Sequence, residues 1–139
     1  MTHIDFYVLP ETTSEARWLF ACRLLDKVHR MGMRTLVVMD DEVEAQQFDE
    51  LLWTFKPESF IPHQLINTGK PAPVEITFNG DAGDHQGLLL NLSKTIPPYF
   101  SRFERLSEVV IQEPLSLQTS RERFGFYKQR GYPIETRKL

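Results

Sequence analysis

A chain of 139 residues, 41% hydrophobic and 12% aromatic, has the length of one domain and too much apolar content for disorder, so a single domain over 1–139 is expected. Its longest apolar runs, such as LLLNL and TLVVM, stop far short of the ~20 residues that cross a bilayer, and no membrane association is expected. Residues 1–120 hold ten Lys and Arg against seventeen Asp and Glu (−7), and residues 121–139 hold six against two (+4), which disfavours phosphate-driven nucleic-acid binding by the body and leaves one basic end.

The opening MTHIDFYVLPETT lacks the basic start, apolar stretch and cleavage site of a secretion signal, so a cytoplasmic location is expected. IDFYVL (4–9) alternates Ile4, Phe6 and Val8 with Asp5 and Tyr7 and reads as a strand. A helix follows: Thr12 with Glu15 resembles a capping box, apolar positions 18, 21, 22, 25 and 28 share one face, and Gly32 is a stop signal. RTLVVMD (34–40) is a continuous β-branched run, as in a strand covered on both faces. A second helix over about 42–54 starts after Asp41, with Glu44 at the capping position, and buries Ala45, Phe48, Leu52 and Phe55.

Residues 56–73 are proline-rich and read as an ordered connection. PVEITF (73–78) and GLLLNL (87–92) are further strands; a short helix is predicted over 97–104, a strand over 108–112 and a last helix over about 116–130, ended by Gly131 and Pro133. This alternation predicts an α/β three-layer sandwich with a largely parallel sheet. The basic C-terminal end reads in two ways, as a solvated, partly frayed terminus or as a seat for an acidic peptide.

Catalytic and cofactor chemistry finds little support. The first strand-to-helix turn, LPETTSEAR, holds no glycine and two glutamates, where a dinucleotide site needs glycines and open backbone N–H groups. Gly69-Lys70 is followed by proline and lacks the rest of a P-loop. Cys22 is the single cysteine, which excludes an internal disulfide, and its place on the apolar face of the first helix fits a packed core thiol. His3, His29, His63 and His85 show no paired metal-ligand spacing. The acidic run Asp40, Asp41, Glu42 and Glu44 lacks the alternation of a calcium loop and fits a helix start, where carboxylates are favoured. No cofactor and no catalytic residue are therefore expected.

The segment DELLWTFKPESFIPHQL (49–65) crowds Trp53, Phe55, Phe60 and Ile61 around a helix end and a proline-bounded loop. Exposed rings there would have the composition of a binding hot spot; folded back, they would form a lid on the core. Together with APVEI (72–76), FYVL (6–9), RTLVVMDDEVEAQQFDELLW (34–53) and RERFGFYKQRGYP (121–133), this segment resembles the chi subunit family of bacterial DNA polymerase III. The resemblance covers most of the chain and is weaker over 80–118.

The resemblance implies a Rossmann-like fold without a nucleotide site, and a non-catalytic accessory subunit of the clamp-loader complex. Its partners would be the psi subunit and the acidic C-terminal tail of single-stranded DNA-binding protein, with nucleic acid reached mainly indirectly, in support of lagging-strand replication. By the family's motifs the psi-binding pair falls at Trp53 and Phe60, and the tail site at Arg121 and Phe124. The next position of that motif, typically basic, is Gly125 here. Helical spacing adds Lys128 to the stripe of Arg121 and Phe124, at i, i+3 and i+7, while Arg123 and Arg130 fall elsewhere on the wheel and are expected to be solvated. The alternative is a small α/β nucleotide- or phosphate-binding enzyme, with a ligand beside residues 10–15.

Overall fold

Short apolar runs between polar turns become strands because a run with no polar face is stable only when both faces are covered. The computed structural model describes residues 1–139. In chain order the elements are β1 (His3–Val8), α1 (Ser14–Arg30), β2 (Thr35–Val38), α2 (Glu42–Thr54), β3 (His63–Leu65), β4 (Val74–Thr77), β5 (Leu88–Asn91), a 3-10 turn at Phe100–Arg102, β6 (Arg105–Val110), α3 (Pro114–Gln129) and β7 (Ile134–Lys138). Seven strands form one sheet in the order β3-β4-β2-β5-β6-β1-β7, and every pair is parallel. The predicted α/β architecture is thus observed, with the sheet wholly parallel.

The sheet separates two apolar clusters. On one face, α1 and α2 bring Ala21, Cys22, Leu25, Phe48 and Leu52 against Val37, Ile76 and Leu90. On the other, Tyr127 of α3 and Phe100 and Phe103 of the turn region meet Phe6, Leu89 and Leu106. All four residues of β2, β4 and β5 are buried, as the unbroken β-branched and leucine runs require.

Several boundaries differ from expectation. The N-cap of α1 is Thr13, whose hydroxyl accepts from Ala16 N at 3.1 Å, so the Thr12–Glu15 pairing is shifted by one residue. Asp41 caps α2 as predicted, accepting from Glu44 N at 2.8 Å. The helix predicted over 97–104 is one 3-10 turn, because the chain returns at once to the sheet as β6, three residues earlier than predicted. α3 starts at Pro114 rather than 116: the Glu113 carboxylate accepts from Leu115 N and Ser116 N, and proline occupies the first turn, where its missing N–H costs nothing.

Two strands were not expected, and both are edges. β3 lies inside the proline-rich connection, and β7 lies in the basic end, where the sequence alone is compatible with a frayed terminus or a peptide seat. Gly131 takes φ +81 between α3 and β7, a left-handed turn that admits glycine readily and redirects the chain onto β1.

Candidate functional site

The aromatic pair stands at the β3 edge. Trp53 closes the last turn of α2 and Phe60 follows in the loop; they are 45% and 70% exposed, with ring centroids 5.5 Å apart. The same loop turns Ile61 into the core and half-buries Phe55 against it, so its apolar residues divide into an inward pair and an outward pair. The Trp53 indole leans on the imidazole of buried His63 at 4.1 Å between centroids. The two nitrogens of His63 lie 2.6 Å from the Ile61 carbonyl oxygen and 3.0 Å from that of Asp49, which ties the loop to α2. On the loop's other side the Ser59 hydroxyl meets the Asp26 carboxylate of α1 at 3.0 Å. Burial raises the Asp49 pKa, opposed by the neighbouring His63 and Trp53 side chains. The two exposed rings therefore sit on a fixed platform.

Toward the other edge of the sheet, α3 packs over β6 and β1 and presents Arg121 and Lys128 to solvent, and neither makes an ion pair. Phe124 between them is half-buried, its ring edge-on to Phe6 of β1 at 5.3 Å. Arg121, Phe124 and Lys128 do share one flank of the helix. Six inter-strand spacings of about 4.8 Å place the two sheet edges ~29 Å apart.

Arg123 corrects the sequence reading, because it is buried rather than solvated. Its Nε donates to Glu108 of β6 at 3.1 Å, while its other nitrogens reach the Lys94 carbonyl and the Ser120 hydroxyl. The same fully buried carboxylate accepts from the Tyr127 hydroxyl at 2.9 Å and from Asn91 Nδ2 at 3.0 Å. Burial first, and then the charge of Glu108, push the Tyr127 hydroxyl far above its ordinary pKa, so it remains a donor. This network bolts the inner face of α3 to the sheet and so fixes where its outer flank points. Arg130 is exposed as expected and lies 3.6 Å over the ring of Phe126.

Gly125 interrupts that flank without structural need. A Cβ there would meet nothing within 4 Å, and the residue itself is exposed within α3. Gly125→Ala is expected to raise the unfolding free energy by about 0.5–1 kcal/mol through helix propensity alone, read as a higher urea midpoint at unchanged slope.

At the carboxyl ends of the strands, where an open parallel sheet commonly takes its ligand, a cavity of about 150 Å3 is lined by Arg17, Asp40, Glu44, Lys94 and Arg123 among others. That is half the lower limit of about 300 Å3 for ordinary small-molecule pockets. Arg17 is committed there to the carbonyls of Val109 and Leu92, at 3.0 and 3.4 Å. The Cys22 thiol, pushed up to about 12 by burial, is a packed core group.

The sequence model of the family described as "DNA polymerase III chi subunit, HolC" matches residues 1–135. The chain is also similar to proteins named DNA polymerase III subunit chi. That of Pseudomonas aeruginosa is 39% identical over 139 residues, covering 100% of this chain and 98% of the relative. That of Haemophilus influenzae is 30% identical over 135 residues, covering 95% and 94%. That of Escherichia coli is 29% identical over 143 residues, covering 98% and 97%. With a matched span that runs from β1 into β7, the chain belongs to the DNA polymerase III chi subunit family.

Proposed function

We propose that this chain is a non-catalytic adaptor of the replicase, acting as one domain, that joins two proteins through opposite ends of its sheet. Trp53 and Phe60 take the psi subunit of DNA polymerase III, and Arg121, Phe124 and Lys128 take the acidic C-terminal tail of single-stranded DNA-binding protein. The observation that carries this reading is the outward pair Trp53–Phe60: two large rings held in solvent on a tethered loop, where a fold without a partner would gain by turning them inward. The separation of the two edges supports simultaneous occupancy, which an adaptor between clamp loader and coated template requires.

The tail site follows from charge-assisted hydrogen bonding. Carboxylates of an acidic peptide are met by the guanidinium of Arg121 and the ammonium of Lys128, and an aromatic residue of the peptide is met by the exposed edge of Phe124. The acidic body (−7 over residues 1–120) repels the phosphate backbone, so recruitment to template runs through the protein tail.

Calorimetry with a synthetic acidic peptide ending in phenylalanine tests this. Arg121→Ala is expected to weaken binding about tenfold, and raising salt from 50 to 300 mM weakens the wild type several-fold. Gly125→Arg strengthens binding. A wild-type affinity that ignores salt, or an Arg121→Ala protein that binds unchanged, overturns the tail assignment.

A further inference from the structure

The β7 edge has a second surface that the α3 residues do not account for. β7 pairs with β1 in parallel register, with Phe6 opposite Thr136 and Val8 opposite Lys138. Paired residues of neighbouring strands point to the same face. Phe6 and Val8 belong to the apolar cluster under α3, so Thr136 and Lys138 stand on the α3 face, beside the flank that carries Arg121, Phe124 and Lys128. Both are exposed, and Lys138 makes no ion pair. Arg137 points to the other face, engaged by Asp5 and Glu135 at 3.1 and 2.7 Å.

The backbone of β7 is open on its outer side. Ile4 N donates to Pro133 O and Leu139 N donates to Val8 O, so odd-numbered residues from 133 to 139 turn their backbone groups toward β1. Strand alternation turns those of Ile134, Thr136 and Lys138 to the free edge. α3 joins the parallel strands β6 and β7 and returns antiparallel above the sheet, so the flank that packs Phe124 on Phe6 of β1 overlooks β7. Phe6 and Val8 are packed beneath that flank, and three cations without an ion pair, Arg121, Lys128 and Lys138, border the edge.

We propose that an acidic peptide binds the open edge of β7 as an added eighth strand, with Lys138 and the backbone of Thr136 as binding groups alongside Arg121, Phe124 and Lys128 of the overlooking helix. This rests on the tail reading above and deepens it. Charge selects the occupant: the cations on this edge stand out from a body of −7, so an acidic strand is drawn to it, while a second copy of β7 would set Lys138 against like charge. Main-chain pairing supplies affinity that is independent of sequence, and the flank cations select for acidity.

The test compares Thr136→Pro, Lys138→Glu and Arg121→Ala in calorimetry with the acidic phenylalanine-ended peptide, together with hydrogen exchange of the full chain. Thr136→Pro removes an N–H that no intrachain bond uses, a place where an edge strand tolerates proline. Thr136→Pro and Lys138→Glu are each expected to weaken the peptide about tenfold, and the peptide is expected to slow exchange at the Thr136 and Lys138 amides. If Arg121→Ala weakens binding while neither β7 variant does, the tail reading stands and the added strand is overturned. If the wild type does not bind the peptide, the tail reading itself falls. A concentration-dependent dimer that Thr136→Pro dissolves assigns the edge to a second copy and also overturns the proposal. Should Thr136→Pro fail to fold, Lys138→Glu and the two amides decide.

Discussion

Glu108→Ala is expected to lower the unfolding free energy by about 3–5 kcal/mol, a large share of the 5–15 kcal/mol that holds a domain of this size. The substitution strands the Arg123 guanidinium, the Tyr127 hydroxyl and the Asn91 amide, all of which donate to this one carboxylate inside a packed face. The cost comes from donors left without an acceptor and from a cation left without its counter-charge, more than from the attraction lost. A second variant separates these causes. Adding Arg123→Met to Glu108→Gln removes the stranded cation and is expected to recover part of the loss seen in Glu108→Gln alone, measured by urea unfolding. A loss below about 1 kcal/mol in Glu108→Ala would mean that the network is dispensable. Because the network fixes the inner face of α3, partial unfolding of that helix is expected to weaken the acidic peptide even though Glu108 never touches it.

Most of the sheet was legible because its central strands are buried on both faces. The runs in β2, β4 and β5 carry enough apolar residues to announce themselves. The edge strands were not legible. β3 is three residues, His63–Leu65, and β7 offers only Ile134 as an apolar residue, so neither has a pattern to detect. A single backbone ladder to a neighbour already in place is enough to hold such a strand, and that depends on the rest of the fold.

Arg123 departs from its expected exposure for a related reason. Hydrophobic periodicity treats the buried face of α3 as polar, since Ser120 and Arg123 flank Tyr127 there. A signal was nevertheless present in the partner strand: Glu108 opens the run EVVI, and a carboxylate in a strand covered on both faces demands a buried donor. The outward placement of Trp53 and Phe60, by contrast, could not be settled by composition. Phe55 and Ile61 occupy the same short loop and turn inward, and only the anchoring of that loop by His63 and Ser59 decides which rings face solvent.

That anchoring gives the second large effect. Phe60→Ala is expected to weaken the psi complex by about 2 kcal/mol or more, roughly thirtyfold, while leaving monomer stability within about 0.5 kcal/mol, since most of the ring is already in water. Trp53→Ala is expected to cost the complex at least as much, but it also removes the half-buried indole that covers His63, so a stability loss of about 1–2 kcal/mol accompanies it. The contrast between the two variants is therefore the informative measurement, with binding read by calorimetry against the psi subunit and folding read by urea unfolding. If Phe60→Ala destabilises the free chain as much as it weakens binding, the loop acts as a lid on the core. If it does neither, psi docks elsewhere. A strong loss of binding at unchanged stability leaves burial of the exposed ring against psi as the source of affinity, because a ring removing ~150–250 Å² from water accounts for an effect of that size.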